Sequence, residues 1–445
     1  MHDSNKPYRY QLFALGQGLL LAMGLGHAQG ADSASAPWAT DSELLSISGD
    51  LGGGLGYDSL AYDLVYGIGG RLQLKAQPTR ELALTTRITA SRSFDTETED
   101  NDTFMVDRCY VSWDENGQHP FGLAAGRLPT RGETSPGHLR LGLDQPQGTL
   151  SSFADMALDG LMVEYRHQNP FPGQLRLSFA TQTDAGYEGH ENPSQLTDTT
   201  IYGVQWEMRP NASRSIQVQS LLITDIYNVR EDSQFINPLE FAVWQDGGGF
   251  FDPQSPAQNL TLDRQNLGDL HQTSLTYLDK FQSLNFFINL GWSHTNATAV
   301  DELGTSLLGS WWDEPTNRDG YALYAGVRYD LERIHSTIGV EYNHGSQYWV
   351  GLSQGTENNK LATRGSVAEL YWTVKPPLPV PLAGESRALI GRIGYQYYDF
   401  AYTGAGSALG EPLDIDALQN DPLSAQFYNP VEYAYTLYAS LKLYF

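Results

Sequence analysis

The thirteen residues from Tyr433 to Phe445 constrain the fold more tightly than any other stretch. Tyr433, Tyr435, Leu437, Ala439, Leu441, Leu443 and Phe445 share one parity, and Ala434, Thr436, Tyr438, Ser440, Lys442 and Tyr444 share the other. A period of two means a strand, because successive side chains leave a pleated backbone on opposite faces. The apolar row is long enough to cross a hydrocarbon layer at the tilt of a closed barrel.

The opening residues have a different character. Lys6 and Arg9 precede an apolar stretch from Leu12 to Leu25, and Gly26-His27-Ala28 supplies small residues around a cleavage position. This reads as a secretory signal over 1–28, with cleavage after Ala28 and Gly30 as the rival. An uncleaved anchor would need about 17–25 apolar residues, and Gln17 and the glycines interrupt a run that is already short. Residues 29–43 read as a polar, aperiodic periplasmic leader.

The rest of the chain repeats the alternation. With 45 Gly and 26 Tyr against 27 Lys+Arg, the composition suits strands and tight turns better than surface helices. The single cysteine, Cys109, excludes an internal disulfide, and no Cys-x-x-Cys-His site or other cofactor signature occurs. A formal charge of −25 argues against a nucleic-acid partner.

Strands are expected at 44–57, 62–77, 81–94, 103–114, 119–128, 156–167, 174–184, 199–209, 214–226, 267–279, 282–293, 319–331, 333–345, 362–374, 386–400 and 431–445, sixteen in all, with fourteen or eighteen as alternatives. Short connectors such as Gln77-Pro78-Thr79-Arg80 and Pro210-Asn211-Ala212-Ser213 alternate with long ones at 129–155, 185–198, 227–266, 294–318, 346–361 and 401–430. Short turns on one rim and long loops on the other are the pattern of a transmembrane antiparallel up-and-down β-barrel spanning 44–445. Both ends then face the periplasm, and the long loops are expected to be surface exposed. A short helix is expected at 414–419 within a loop.

One parity of each strand is apolar, as in Leu284, Phe286, Ile288, Leu290 and Trp292, or Tyr202, Val204, Trp206 and Met208. The other carries Arg71, Lys75, Arg87, Arg176, Arg209, Arg328, Arg392 and Lys442 against Glu207, Glu341, Glu369 and Glu432. Assigned to the lumen, Arg71, Lys75, Arg87, Arg176, Arg328, Glu341, Glu369 and Arg392 become candidates for lining a channel and setting ion preference. Cross-strand pairing that only holds the wall together is the alternative. The acidic run Asp95 to Asp102, five carboxylates in eight residues, lacks Ca²⁺-loop spacing and reads as a solvated loop. No metal site is expected. Among the strand-associated histidines, His294, His335 and His344 fall in no catalytic spacing, and Gly-x-Ser-x-Gly is absent.

Two resemblances add to this reading. The ending at Phe445 resembles the C-terminal strand of Gram-negative outer-membrane barrels, which implies that Leu441, Leu443 and Phe445 form a signal for the barrel assembly machinery. Tyr342-Asn343-His344-Gly345-Ser346-Gln347-Tyr348-Trp349, Lys360-Leu361-Ala362-Thr363-Arg364-Gly365, Val106 to Trp113, Gly126 to Thr130 and Gly394 to Gly404 together are similar to a porin-like outer-membrane family of Gram-negative bacteria catalogued as a domain of unknown function. That resemblance implies a barrel in contact with outer-membrane lipid and lipopolysaccharide. It supplies no substrate, and Arg364 and His344 carry over as motif positions without a role.

The expected function is a water-filled porin for small polar or anionic solutes. Sixteen strands enclose an aqueous space, whereas eight are filled by side chains. A barrel sheath of a multiprotein conduit, for example around an electron carrier, is the alternative from another class, and an outer-membrane enzyme is a third. Whether the protein forms a homotrimer, and whether 227–266 plugs the lumen, stay open.

Overall fold

The computed structural model describes residues 45–59, 63–94, 101–114, 117–129, 154–155, 157–181, 199–211, 213–228, 264–302, 304–309, 313–353, 359–376, 388–421 and 430–444. The signal and leader, the run 95–100, most of 227–266 and Phe445 lie outside these residues.

Sixteen antiparallel strands close into one barrel. They are β1 (Leu45–Asp58), β2 (Asp63–Ala76), β3 (Leu82–Phe94), β4 (Asn101–Trp113), β5 (Phe121–Pro129), β6 (Ala157–His167), β7 (Gly173–Thr181) and β8 (Thr200–Asn211). The second half comprises β9 (Arg214–Tyr227), β10 (Asn266–Phe281), β11 (Leu284–Ala297), β12 (Arg318–Leu331), β13 (Ser336–Gly345), β14 (Gly365–Val374), β15 (Ala388–Phe400) and β16 (Tyr433–Tyr444). Each strand pairs with its neighbours in sequence, and β1 closes on β16 with Asp50 opposite Tyr444 and Gly52 opposite Lys442. Closure removes both sheet edges, so every strand has hydrogen-bonded neighbours on both sides, as lipid demands. All sixteen expected strands are present, with ends displaced by a few residues. The largest displacement is at the end of β11, which runs to Ala297 where 293 is expected, and a 3-10 turn at Glu332–Ile334 delays the start of β13.

The parity assignment follows from exposure. Leu370 is 55% and Trp372 45% exposed on β14, while Tyr371 between them is 3% exposed and Glu369 before them 2%. Leu437, Ile393, Val340, Val327 and Leu290 extend the exposed apolar face around the barrel. Such a surface is stable against hydrocarbon and not against water, so the molecule is an outer-membrane barrel. Rings mark the ends of the apolar band: Trp292 stacks with His294 on one rim, and Tyr277 packs near Phe286 towards the other.

The rim of short turns includes 77–81, 117–120, 168–172, 282–283 and 332–335. Asp114 organises one of them, accepting hydrogen bonds from the backbone N–H groups of Gln118 (2.9 Å) and His119 (2.8 Å) and from Arg166 (2.7 Å). The helix expected near 414–419 is α2 (Ile415–Asn420), following α1 (Asn359–Ala362) in chain order. Asp414 caps α2 by accepting from Ala417 N–H at 2.9 Å.

Candidate functional site

Among the described residues, the interior divides into an arc covered by connectors and one that they leave uncovered. On the covered arc, three connectors from the long-loop rim fold inward instead of extending away from the membrane. Leu307 and Leu308 of the β11–β12 connector, Val350 and Leu352 of the β13–β14 connector, and Ala408 and Leu409 of the β15–β16 connector pack on inner-face Ile201, Leu221, Ile223 and Leu270. The connectors also bind one another: Leu308 N–H donates to Ala408 O (3.0 Å) and Gly410 N–H to Ser306 O (3.1 Å). A fully buried Leu or Ile contributes about 1.5–3 kcal/mol, so this is a core in its own right. A second cluster seats Trp349 and Leu361 against Leu278, Phe287, Ala322 and Tyr324.

These contacts correct two expectations. The inner parity is not polar throughout, because the upper parts of β8, β9 and β10 turn Ile and Leu inward to meet the connectors. Nor are the connectors 294–318, 346–361 and 401–430 simply surface loops, since Leu307, Val350 and Leu409 are buried.

Arg364, the residue before β14, ties the connectors together. Its guanidinium is buried and donates to the carbonyls of Trp349 (3.0 Å), Thr403 (3.1 Å), Gly404 (2.7 Å) and Ser407 (2.5 Å). Burial pushes it down to about 9, so it remains charged at neutral pH. Four carbonyls of two connectors thus share one cation.

Below Arg364 lies a buried ionic network. Glu341 on β13 and Glu369 on β14 are directly opposite each other. Like charges in that position repel. Lys360 of α1 enters from the connector and donates to both carboxylates, reaching Glu369 at 2.6 Å. Arg392 of β15 donates to the other oxygen of Glu369 at 2.5 Å, Tyr438 donates to that same oxygen, and Tyr324 donates to Glu341 at 2.5 Å. Burial alone would lower the Lys360 ammonium, but Glu341 and Glu369 outweigh it and hold Lys360 above the ordinary lysine range. Two inner glycines accommodate the aromatic parts. A Cβ on Gly339 would lie 2.2 Å from the Tyr371 ring, and one on Gly394 would lie 2.4 Å from the Tyr438 ring.

Glu341, Glu369 and Arg392, expected to line water, are therefore buried, and their neighbours explain why: they anchor an in-folded connector. Arg176 is also mostly enclosed, donating to Glu164 at 2.7 Å, and Arg328 donates to Asp330 at 2.9 Å. Arg209 likewise pairs with Glu207 at 2.7 Å. Sequence reading missed Lys360, Asp50, Glu164 and Asp330, because their relation to the arginines depends on register. The apolar residues Trp349 and Val350 inside an expected polar loop were the available hint of an in-folded connector.

The uncovered arc runs from β16 through β1 and β2 to β3. Its inner face carries Gly52, Gly54 and Gly56 on β1, Gly67, Gly69, Arg71, Gln73 and Lys75 on β2, and Arg87 on β3, all half-buried. Arg71 donates to Asp50 at 2.7 Å, with Lys442 at 3.9 Å from the same carboxylate, and its side chain stays 19% exposed where that of Arg392 is 1% exposed. Arg87 lies opposite Gln73 on β2 and opposite Arg108 on β4, where a bulge interrupts the ladder. Lys75 lies opposite Ser46 and Thr85. Leu441 and Leu443 lie on the outward face of β16. His294 meets Asp319 (3.0 Å) and His344 meets Ser366 (3.1 Å), both on outward parity, and His335 occupies the β12–β13 turn. Among the described residues no group of His, Cys, Asp and Glu is arranged to hold a metal ion.

Comparison with solved structures finds outer-membrane proteins at low identity. OprB of Pseudomonas putida is 10% identical, covering 90% of this chain and 93% of that one with a TM-score of 0.47. Outer-membrane expressed OmpT of Vibrio cholerae is 10% identical, covering 91% and 99%, with a TM-score of 0.45. An anion-selective porin from Comamonas acidovorans is 9% identical, covering 90% and 99%, with a TM-score of 0.45. The likeness is one of porin-like fold and extends no further. No curated protein matches the chain. The family model described as "Protein of unknown function (DUF3373)" matches residues 70–445, and the chain belongs to that family.

Proposed function

We propose that the protein is a non-catalytic outer-membrane channel in which small polar and anionic solutes pass along the uncovered β16–β3 arc. The observation that carries this reading is the difference in cover: arginines and glycines of β1–β3 keep contact with solvent, whereas charges on β13–β15 are sealed beneath connectors. A cation beside a narrow aqueous gap favours a permeating anion, because low-dielectric walls focus its field. The short-turn rim and both ends of the barrel face the periplasm in this reading. The apolar face meets lipid and lipopolysaccharide, and Leu441, Leu443 and Phe445 are read by the barrel assembly machinery. A sheath around an electron carrier needs lumen that the connectors occupy, which weighs against that alternative.

The test is the reversal potential of the purified protein in a planar bilayer under a KCl gradient. Anion preference is expected, and it should shrink as salt rises, since the screening length falls from about 30 Å at 0.01 M to about 3 Å at 1 M. Cation preference at low salt would overturn the reading.

A further inference from the structure

The covered arc has two kinds of cover. In one, apolar meets apolar: Leu307, Leu308, Val350 and Leu409 rest on Ile201, Leu221, Ile223 and Leu270. Water cannot replace such contacts, so this cover is fixed. The wall near α1 is polar instead. Glu341, Asn343 and Asn289 are all but fully buried there. Among the described residues, Glu341 Oε1, Asn343 Oδ1 and both amide atoms of Asn289 have no hydrogen-bond partner. Asn289 stands opposite Tyr324 and two residues from Phe287, beside the cluster that Trp349 and Leu361 complete. A buried polar atom without a partner is costly, whereas the same atom facing water is not. The composition of this wall suits hydration, and apolar side chains seal it off.

The attachment of α1 is also polar, made of bonds that water can replace. Lys360 Nζ donates to Glu341 and Glu369, and Lys360 O accepts from Asn343 Nδ2 at 2.5 Å. The Trp349 indole N–H donates to Leu361 O at 2.8 Å, which lets the ring travel with α1. The Trp349 carbonyl is held separately by Arg364, which also binds the carbonyls of Thr403, Gly404 and Ser407. A polar seat, an apolar cap and a fixed anchor at Arg364 are the parts of a hinged lid.

Resting on the channel reading, we infer that α1 is a lid over a second aqueous path along β11–β14, closed in this structure and selective for cations when open. Lifting α1 withdraws Lys360 from both carboxylates. Arg392 and Tyr438 remain on Glu369, so that carboxylate keeps a cation. Glu341 retains the neutral Tyr324 hydroxyl and loses the ammonium that balanced it. A carboxylate beside an aqueous gap favours permeating cations, the reverse of the β16–β3 arc. The lid therefore changes selectivity together with conductance.

Single-channel recordings of the full-length protein in a KCl gradient test the inference. At low holding voltage the wild type should show the anion-preferring level alone. Lys360→Met should add a larger level whose reversal potential lies towards cations. Leu361→Ser, which weakens the apolar cap and leaves the charges in place, should add the same level and serves if Lys360→Met fails to fold; heat-modifiable migration on gels identifies folded variants. Asn289→Leu, placed in either background, removes a buried amide and should cut the time spent in the larger level by about tenfold, the scale of one unsatisfied polar group. Glu341→Gln in the Leu361→Ser background should keep the larger level and abolish its cation shift. A larger level as anion-preferring as the main one, its absence from both lid variants, or an Asn289→Leu change that leaves its occupancy unaltered would overturn the lid while leaving the anion-preferring path intact. A wild type that is cation-selective or passes no current would overturn the channel reading itself.

Discussion

The β13–β15 wall and the β1–β3 wall are built from similar residues put to opposite uses. Both carry inner-face glycines and arginines on alternating positions. On β15, Gly394 leaves room for the Tyr438 ring, which in turn hydrogen-bonds the Glu369 carboxylate. On β1, Gly56 flanks the other side of Tyr438, yet a Cβ there would meet only ordinary contacts at 3.5 Å. Arg392 is locked between Glu369 and the face of Tyr371, with its guanidinium carbon 3.8 Å from the ring centre. Arg71, by contrast, pairs with Asp50 and keeps access to water. A glycine–arginine inner face is thus a packing device where a connector descends on it and a solvated wall where, among the described residues, none does. Residue type alone does not distinguish the two; the presence of Lys360 and Arg364 overhead does.

The largest way to break this contrast is to unlock the covered side. Lys360→Met leaves Glu341 and Glu369 opposed and buried without their shared cation, and removing one partner of a buried charge network costs about 3–5 kcal/mol. Guanidinium titration of the refolded barrel should show that loss, and open-channel conductance should rise as the connector detaches. An unchanged conductance with an unchanged midpoint would make Lys360 incidental.

A smaller effect separates the two glycines that flank one tyrosine. Gly394→Leu drives a side chain into the Tyr438 ring and should destabilise by about 1–3 kcal/mol. Gly56→Ala should stay within about 0.5 kcal/mol, as at positions with no special packing. Equal costs at both positions would mean that the ring is not set against β15.

On the uncovered side, replacing Arg71 and Arg87 together by Gln should move the reversal potential towards cations. Heat-modifiability should remain at wild-type level, because both arginines lie half-buried on the wall and Arg71 pairs with Asp50 of the neighbouring strand. A double variant with unchanged selectivity would return both arginines to wall structure. The pH response is smaller still. Lys360 is held protonated above the usual lysine range, and a raised pKa stabilises the fold fully below the unfolded value and is lost only as pH rises through the folded one. The lock should therefore hold from neutral pH to about 10, the unperturbed lysine value. Conductance that climbs between pH 7 and 9 would contradict it.

Much of the architecture was legible in the sequence. Period-two alternation gave the strands, and the chain of short and long connectors gave their up-and-down order. The short helix expected at 414–419 is α2, with Asp414 as its cap and not its first residue. The lumen was less legible. Whether Arg176 meets Glu164, or Arg71 meets Asp50, depends on which residues of neighbouring strands stand opposite, and register is a tertiary property. The in-folded connectors were harder still. Lys360 and Arg364 occupy a polar, glycine-flanked segment with the local character of a surface loop. Their role follows from acceptors far away in sequence, at Glu341, Thr403 and Ser407.

The central claim, that water and ions follow the β16–β3 arc and not the opposite wall, has a direct test. Single cysteines at Gln73 (Gln73→Cys) and at Asn289 (Asn289→Cys), each in a Cys109→Ser background, place one thiol on each arc, since Gln73 is half-buried on β2 and Asn289 is 0% exposed on β11. A charged methanethiosulfonate reagent is then added during single-channel recording. Rapid, stepwise block at Gln73→Cys and no effect at Asn289→Cys is the expected result; block at Asn289→Cys, or none at Gln73→Cys, would contradict the account.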